Sequence, residues 1–152
     1  MVVHFKFIKI SLSTFLLCAA FILFQSCLSE KIEKPIELHW DRDSCSNCRM
    51  VISDKRFAAQ VIGENNQVYK FDDIGCAVHW INSNSKQAIR SVWVKDISGE
   101  KWLNAKTAFW EKVEIHSPMG HNFCPRITKT DHSHSYQMMT EKILNDADRF
   151  SN

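Results

Sequence analysis

Apolar residues follow three kinds of pattern along this chain. The first is a continuous run, Ile10 to Phe24, interrupted only by Ser11, Ser13 and Thr14. It falls short of the roughly 20 residues that span a bilayer. Behind it lie Lys6 and Lys9 and no acid, as in the hydrophobic region of a secretory signal peptide. The second pattern is the short β-branched and aromatic segment. Phe57–Ile62 and Gln67–Phe71 are two such segments, and Gly63-Glu64-Asn65-Asn66 between them is a turn signal, which together predict a hairpin. The third is helical spacing. Ile74, Ala77, Val78 and Ile81 recur at that spacing after Asp72-Asp73, which offers an N-cap. The helix fades in Asn82-Ser83-Asn84-Ser85, and Ile89–Val94 reads as the next strand.

The first half is therefore strand, strand, helix, strand. In the second half Lys101–Leu103 is a short predicted strand after the Ser98-Gly99 turn. Asn104–Lys112 carries both helix and strand signals and stays open. Val113–Ile115 is strand-like and runs into a turn at Ser117-Pro118-Met119-Gly120. Asp131–Phe150 is predicted helical, with Met138, Ile143 and Leu144 facing the core. The fold class is α+β, the second half loosely repeating the layout of the first.

The residues after the apolar run define the domain organisation. Leu23-Phe24-Gln25-Ser26-Cys27 places a small residue before a cysteine, which resembles a bacterial lipoprotein processing site. On that resemblance residues 1–26 are a leader and Cys27 is the lipidated first residue of the mature chain. Residues 27–36, polar and charged, read as a tether, and 37–152 as the folded domain. The resemblance implies a place in the cell envelope, held to a membrane by lipid and facing the periplasm; ordinary cleavage near Ser26 or an uncleaved anchor is the plain alternative. The chain carries 19 Lys and Arg against 17 Asp and Glu, and two of the lysines lie in the leader. There is no basic stripe, which argues against a nucleic-acid partner.

Outside the leader and the lipidation site four cysteines remain: Cys45, Cys48, Cys76 and Cys124. An exported chain with four cysteines has material for two disulfides or for a metal site. Asp43-Ser44-Cys45-Ser46-Asn47-Cys48-Arg49-Met50 puts three sulfur side chains within six residues. In an extended segment Cys48 and Met50 share a face. Thiolate with thioether is a soft ligand set that favours Cu(I), whereas Met50 has no part in a disulfide. Met119, between Pro118 and Gly120, is a second thioether on a loop; a Met packed into the core is the plain alternative. His121, Cys124, His132 and His134 form a further group, with His121 the weakest of the candidate copper ligands. Together with Cys45 and Cys48 they would also suit a four-coordinate zinc site. Cys76 reads as a small buried residue on the helix, with a place near the sulfur site as the alternative; Asp72 and Asp73 read as a helix cap, and His39 and His79 as structural or solvated.

No phosphate loop, dinucleotide fingerprint or nucleophile elbow occurs, and the chain is not read as an enzyme. A C-x-x-C pair also serves thiol–disulfide exchange when a helix N-terminus lowers the first thiol's pKa. Here Arg49–Ser53 reads as extended. A thiol oxidoreductase and a structural zinc lipoprotein are thus the two rival readings.

The combination resembles the NosL family of copper lipoproteins. The residues that carry the likeness are the leader, Cys45-x-x-Cys48-x-Met50, Phe57-Ala58-Ala59-Gln60 and Phe71-Asp72-Asp73-Ile74-Gly75-Cys76. They continue through Trp93-Val94-x-Asp96, Trp102, Ala105 and Ser117-Pro118-Met119-Gly120. The resemblance implies two small ββαβ units sharing a core, similar to the alkylmercury-lyase accessory fold. It implies a Cu(I)-binding metallochaperone for copper-cluster assembly in nitrous oxide reductase, working with that enzyme's ABC-type assembly machinery. Cys48, Met50 and Met119 carry over most directly, and Cys45 less so. Two positions depart from the family: Arg49 stands where Gly is common, and His121-Asn122-Phe123-Cys124 replaces a small, apolar continuation.

Overall fold

The computed structural model describes residues 30–150, with side chains to Asp146. The expected leader, its cleavage site and Cys27 lie outside the described residues. Among those residues no helix is long and apolar enough to cross a membrane.

The described residues form six strands and two helices: β1 Ala59–Gly63, β2 Val68–Phe71, α1 Ile74–Ser83, β3 Ile89–Lys95, β4 Trp102–Asn104, β5 Phe109–Lys112, β6 Phe123–Arg126 and α2 Tyr136–Phe150. The architecture is α+β, as the pattern of segments predicts. β1 to β4 build an antiparallel sheet in the order β2-β1-β3-β4. β1 is central and buried along its whole length, so both faces need apolar residues, and Ala59, Val61 and Ile62 supply them. The predicted hairpin closes through Gly63 N–H to the Gln67 carbonyl at 2.9 Å.

Gln60 is the polar exception in β1. It is fully buried, where an unpaired amide would cost about 1–3 kcal/mol. Its amide is matched at both ends by one backbone: Nε2 donates to the Ile36 carbonyl at 2.8 Å and Oε1 accepts from Ile36 N at 3.0 Å. Nearby, Ile32 N donates to Asn66 Oδ1 and Arg90 Nη1 donates to the Ile32 carbonyl. The segment read as a tether is thus pinned to the sheet from Ile32 to Ile36.

α1 starts where the sequence places it. Asp73 is extended at φ −148°, and its carboxylate accepts from Gly75 N at 2.6 Å, supplying a partner for one orphan amide of the first turn. Ile74–Val78 is buried, and Trp80 stacks on Tyr69 with ring centroids 4.1 Å apart. The second layer is the β5–β6 hairpin with α2. Residues 105–108 turn the chain between β4 and β5, resolving the ambiguous stretch as turn, then strand. Trp110 on β5 is fully buried, and its indole N–H donates to the Ala105 carbonyl at 3.0 Å.

Three local expectations are corrected. The strand-like Val113–Ile115 is not a strand: Val113 N makes one more ladder bond to the Asn122 carbonyl, then Glu114 and Ile115 turn out to solvent. β6 arises instead from Phe123–Arg126, whose Pro125 hid it. α2 begins at Tyr136 rather than Asp131, and the core methionine is Met139, fully buried, while Met138 is about half exposed. Met139 and Ile143 are four apart and share a stripe; Met138 is a third of a turn away from it.

Candidate metal centre

The Cys45–Met50 segment is closed into a tight loop by two backbone bonds. Cys45 N donates to the Met50 carbonyl at 2.8 Å, and Arg49 N donates to the Cys45 carbonyl at 3.0 Å. A bridge between Ser44 and Val51 continues the closure. The loop is stitched to the open edge of β2: Ser46 N donates to the Lys70 carbonyl at 2.7 Å, and Lys70 N donates to Ser46 Oγ at 3.2 Å. Lys70 Nζ meets Asp43 at 2.7 Å from the other side. The loop therefore covers edge groups that would otherwise pair with another chain, and it sits where β2 runs into α1.

That corner brings four side chains together. The ligand atoms of Cys45, Cys48, Asp72 and Cys76 all lie within 4.8 Å of one another. Cys45 and Cys76 are buried, as is Asp72, and Cys48 is half-buried. The cysteines are free thiols. Cys48 Sγ donates to Asp72 Oδ2 at 3.4 Å. Asp72 Oδ1 is buried with no hydrogen-bond partner, which is costly for a carboxylate oxygen unless a cation or donor arrives.

The thiols differ in acidity. A hydrogen bond from the Cys76 thiol stabilises the Cys45 thiolate and brings its pKa down to about 6, against the opposing effect of burial. The same contact drives the Cys76 pKa up, with burial and the negative charges of Cys45 and Asp72 adding to it. Burial raises Cys48, and its neighbours Cys45 and Asp72 raise it further. Cys76 lies in the first turn of α1, where unpaired amides give a positive potential. The Cys76 contact thus favours the thiolate form of Cys45, and burial favours the thiol forms of Cys76 and Cys48 beside it.

The sequence-predicted residues divide around this cluster. Cys45 and Cys48 are in it. Met50 closes the loop through its backbone carbonyl, and its side chain is 51% exposed. Met119 is 40% exposed, and its backbone N–H donates to Asp73 Oδ2 at 3.3 Å. Its loop is thereby docked on the residue next to Asp72. His121 is not among the clustered groups. Its imidazole packs against Gly75, so close that a Cβ there would fall 2.0 Å from its Cδ2, and its ring centroid is 5.5 Å from that of His79. Cys124 is buried on β6, with its pKa pushed up to about 11 by burial. His132 and His134 line a separate surface cleft with Glu111, Thr130 and Met138.

Asp72 is the member that the sequence does not single out, since it reads as part of the cap that Asp73 makes alone. For Cys76 the structure selects the place near the sulfur site over simple packing. The available signal was their spacing: residues four apart at a helix start lie on one face.

The NosL family model matches residues 35–141. Among solved structures, the crystal structure of the copper chaperone NosL from Shewanella denitrificans superposes with a TM-score of 0.54 at 16% identity, covering 75% of this chain and 89% of that one. Identity at that level speaks for the fold alone. No curated protein sequence matches the chain. Since the family model spans the sheet, both halves of the cysteine cluster and the loop with Met119, the chain belongs to the NosL family.

Proposed function

We propose that this protein is an envelope copper carrier. It binds Cu(I) through Cys45, Cys48 and Cys76, with Met50 and Met119 as surface thioethers. It hands the ion to the assembly of the copper cluster of nitrous oxide reductase from a lipid-anchored position in the periplasm. The observation that carries the reading is the convergence of three thiol sulfurs on one point, a soft donor set suited to a monovalent copper ion. The family and the copper chaperone of the same fold support it. The chemistry is binding and transfer, with no turnover. Thiolates must lose protons to take the metal, so affinity rises with pH.

A thiol oxidoreductase needs an accessible thiol of low pKa. The order here is reversed: Cys45, the acidic thiol, is fully buried, and the more exposed Cys48 is raised. Zinc is the rival with an observation behind it, because the unpartnered Asp72 oxygen completes a Cys3Asp set that suits tetrahedral Zn(II).

The test is an anaerobic Cu(I) titration against a competing chelator, repeated with Zn(II). The expected result is one Cu(I) per chain, displacing prebound zinc. Substituting Ser for any one of Cys45, Cys48 or Cys76 should weaken binding by more than about tenfold, or 1.4 kcal/mol. Binding that survives all three substitutions, or zinc that resists excess Cu(I), would overturn the copper reading.

A further inference from the structure

Four residues other than glycine have positive φ among the described residues: Asp41, Arg49, Asn66 and Asn122. Three of them are Asp or Asn, whose short polar side chains tolerate the left-handed region. Arg49, at φ 68°, is the exception. The loop closure forces that conformation on its position, because the bonds on either side of it, to the Cys45 and Met50 backbones, fix the turn. A glycine would adopt it without strain. The chain instead keeps a long cationic side chain there, between the half-buried thiol of Cys48 and the exposed thioether of Met50.

The guanidinium of Arg49 has no use inside the fold. It is exposed and makes no hydrogen bond, ion pair or ring contact with any described residue. Arg56, Arg90 and Arg126 are each paired with a carboxylate, Asp54, Glu64 and Glu111. Among the arginines whose side chains are described, the other one without a side-chain partner is Arg42, also exposed. Arg42 and Arg49 flank the two cysteines on one short segment. Beside them Met50 and Val51 are each 51% exposed. The segment that carries the two cysteines thus presents two exposed apolar side chains and two free, fork-shaped cations, and such forks match carboxylates in bidentate geometry.

We propose that Arg49 and Arg42 form a docking surface for a carboxylate-rich protein face that exchanges copper with the thiolates; this rests on the carrier reading above. The apolar residues give contact, and the two cations steer an acidic partner so that its own ligands meet Cys48 and Met50. Retaining Arg49 in a conformation that favours glycine is then a cost borne for recognition.

The experiment uses the copper-loaded full chain and two synthetic acceptor peptides. Both carry one Cys-x-x-Cys pair; one is flanked by glutamates and the other by glutamines. Cu(I) affinity is measured first, then the rate of transfer to each peptide. At low ionic strength the glutamate peptide should take copper about tenfold faster than its glutamine counterpart, with the two converging at high salt. Arg49→Gly should cut that advantage several-fold, and Arg42→Gln with Arg49→Gly should abolish it, at unchanged Cu(I) affinity and no loss of thermal stability. Lys86→Gln, beyond the far end of α1, changes the net charge as much as Arg49→Gly and should leave the advantage intact. Equal rates for the two peptides, or an advantage that survives in the double variant, would overturn the proposal. A parent chain that binds no Cu(I) defeats the carrier reading itself, and that is seen before either peptide is added.

Discussion

Replacing Cys76 tests the electrostatics of the cluster without any metal. The Cys45 pKa stands at about 6 chiefly because the Cys76 thiol donates to it. At pH 7 a group with that pKa is about nine-tenths ionised; at the ordinary value of 9.0 it would be about 1% ionised. The other three described cysteines are all raised. The reduced, metal-free chain should therefore show ultraviolet thiolate absorbance worth close to one cysteine at pH 7, appearing with a midpoint near pH 6. In Cys76→Ala the donor is gone and burial still opposes ionisation, so the midpoint should move to 9 or above and the absorbance at pH 7 should vanish. Cys76→Ser keeps an O–H donor and should hold the midpoint well below 9. A midpoint near 6 that persists in Cys76→Ala, or a parent with no ionisation below about pH 8, would refute the assignment of the thiolate to this pair.

The same pair sets a stability profile. A Cys45 pKa lowered in the folded state contributes stability above the unfolded value, near 9, and loses it as pH falls toward 6. A raised Cys76 contributes below that value and loses it above. Relative to Cys76→Ala, the parent should gain urea resistance from pH 6 to about 8.5 and lose part of it at higher pH. Gly75→Ala would drive a methyl into the His121 ring, 2.0 Å away. Overpacking should cost about 1–3 kcal/mol, outweighing the better helix propensity of Ala. In a His121→Ala background the same change should become neutral or stabilising by up to about 1 kcal/mol, as read by chemical denaturation. Asp73→Ala removes the cap on Gly75 N and the acceptor for Met119 N. It should cost about 0.5–2 kcal/mol and raise amide exchange at Met119, and normal exchange there would show that the loop is held by something else.

The first half of the fold was readable because local signals agreed with each other. The hairpin, the Asp73 cap and the spacing of Ile74, Ala77, Val78 and Ile81 all point the same way, and β1, β2 and α1 form within two residues of their predicted bounds. The second half was less legible because its order depends on partners remote in sequence. β6 carries a proline and forms because β5 lies opposite it. The register of α2 is fixed by Met139 and Ile143, which the apolar pattern could not separate from Met138. At the site, the C-x-x-C-x-M stretch was visible as a local motif. What it meets was not. Asp72 and Cys76 enter because the loop lies along the β2 edge through Ser46 and Lys70, a long-range contact with no local signature. Met119 was singled out for its place in a loop; the bond that docks its backbone on Asp73 could not be read from spacing.

On the carrier reading, the arrangement of burial suits one corner of the fold to both holding and releasing an ion. Cys45 and Cys76 are fixed by the loop closure and by the first turn of α1, and both are buried. No incoming ligand can reach them directly. Cys48 is half-buried, and Met50 and Met119 are at the surface. On the carrier reading, the buried thiols are the strong donors and the exposed thioethers the weak ones, with half-buried Cys48 between them in burial. An ion entering from the rim meets thioethers first and gains a thiolate at each step inward. Leaving, it exchanges the shallow donors for those of a partner while a deep one still holds it. A site of three buried thiolates would bind well and exchange slowly, and a site of exposed thioethers alone would exchange fast and bind poorly. The gradient follows from placing one end of a strained loop against a helix N-terminus and leaving the other end in solvent, and Arg49 occupies the position where that loop turns outward.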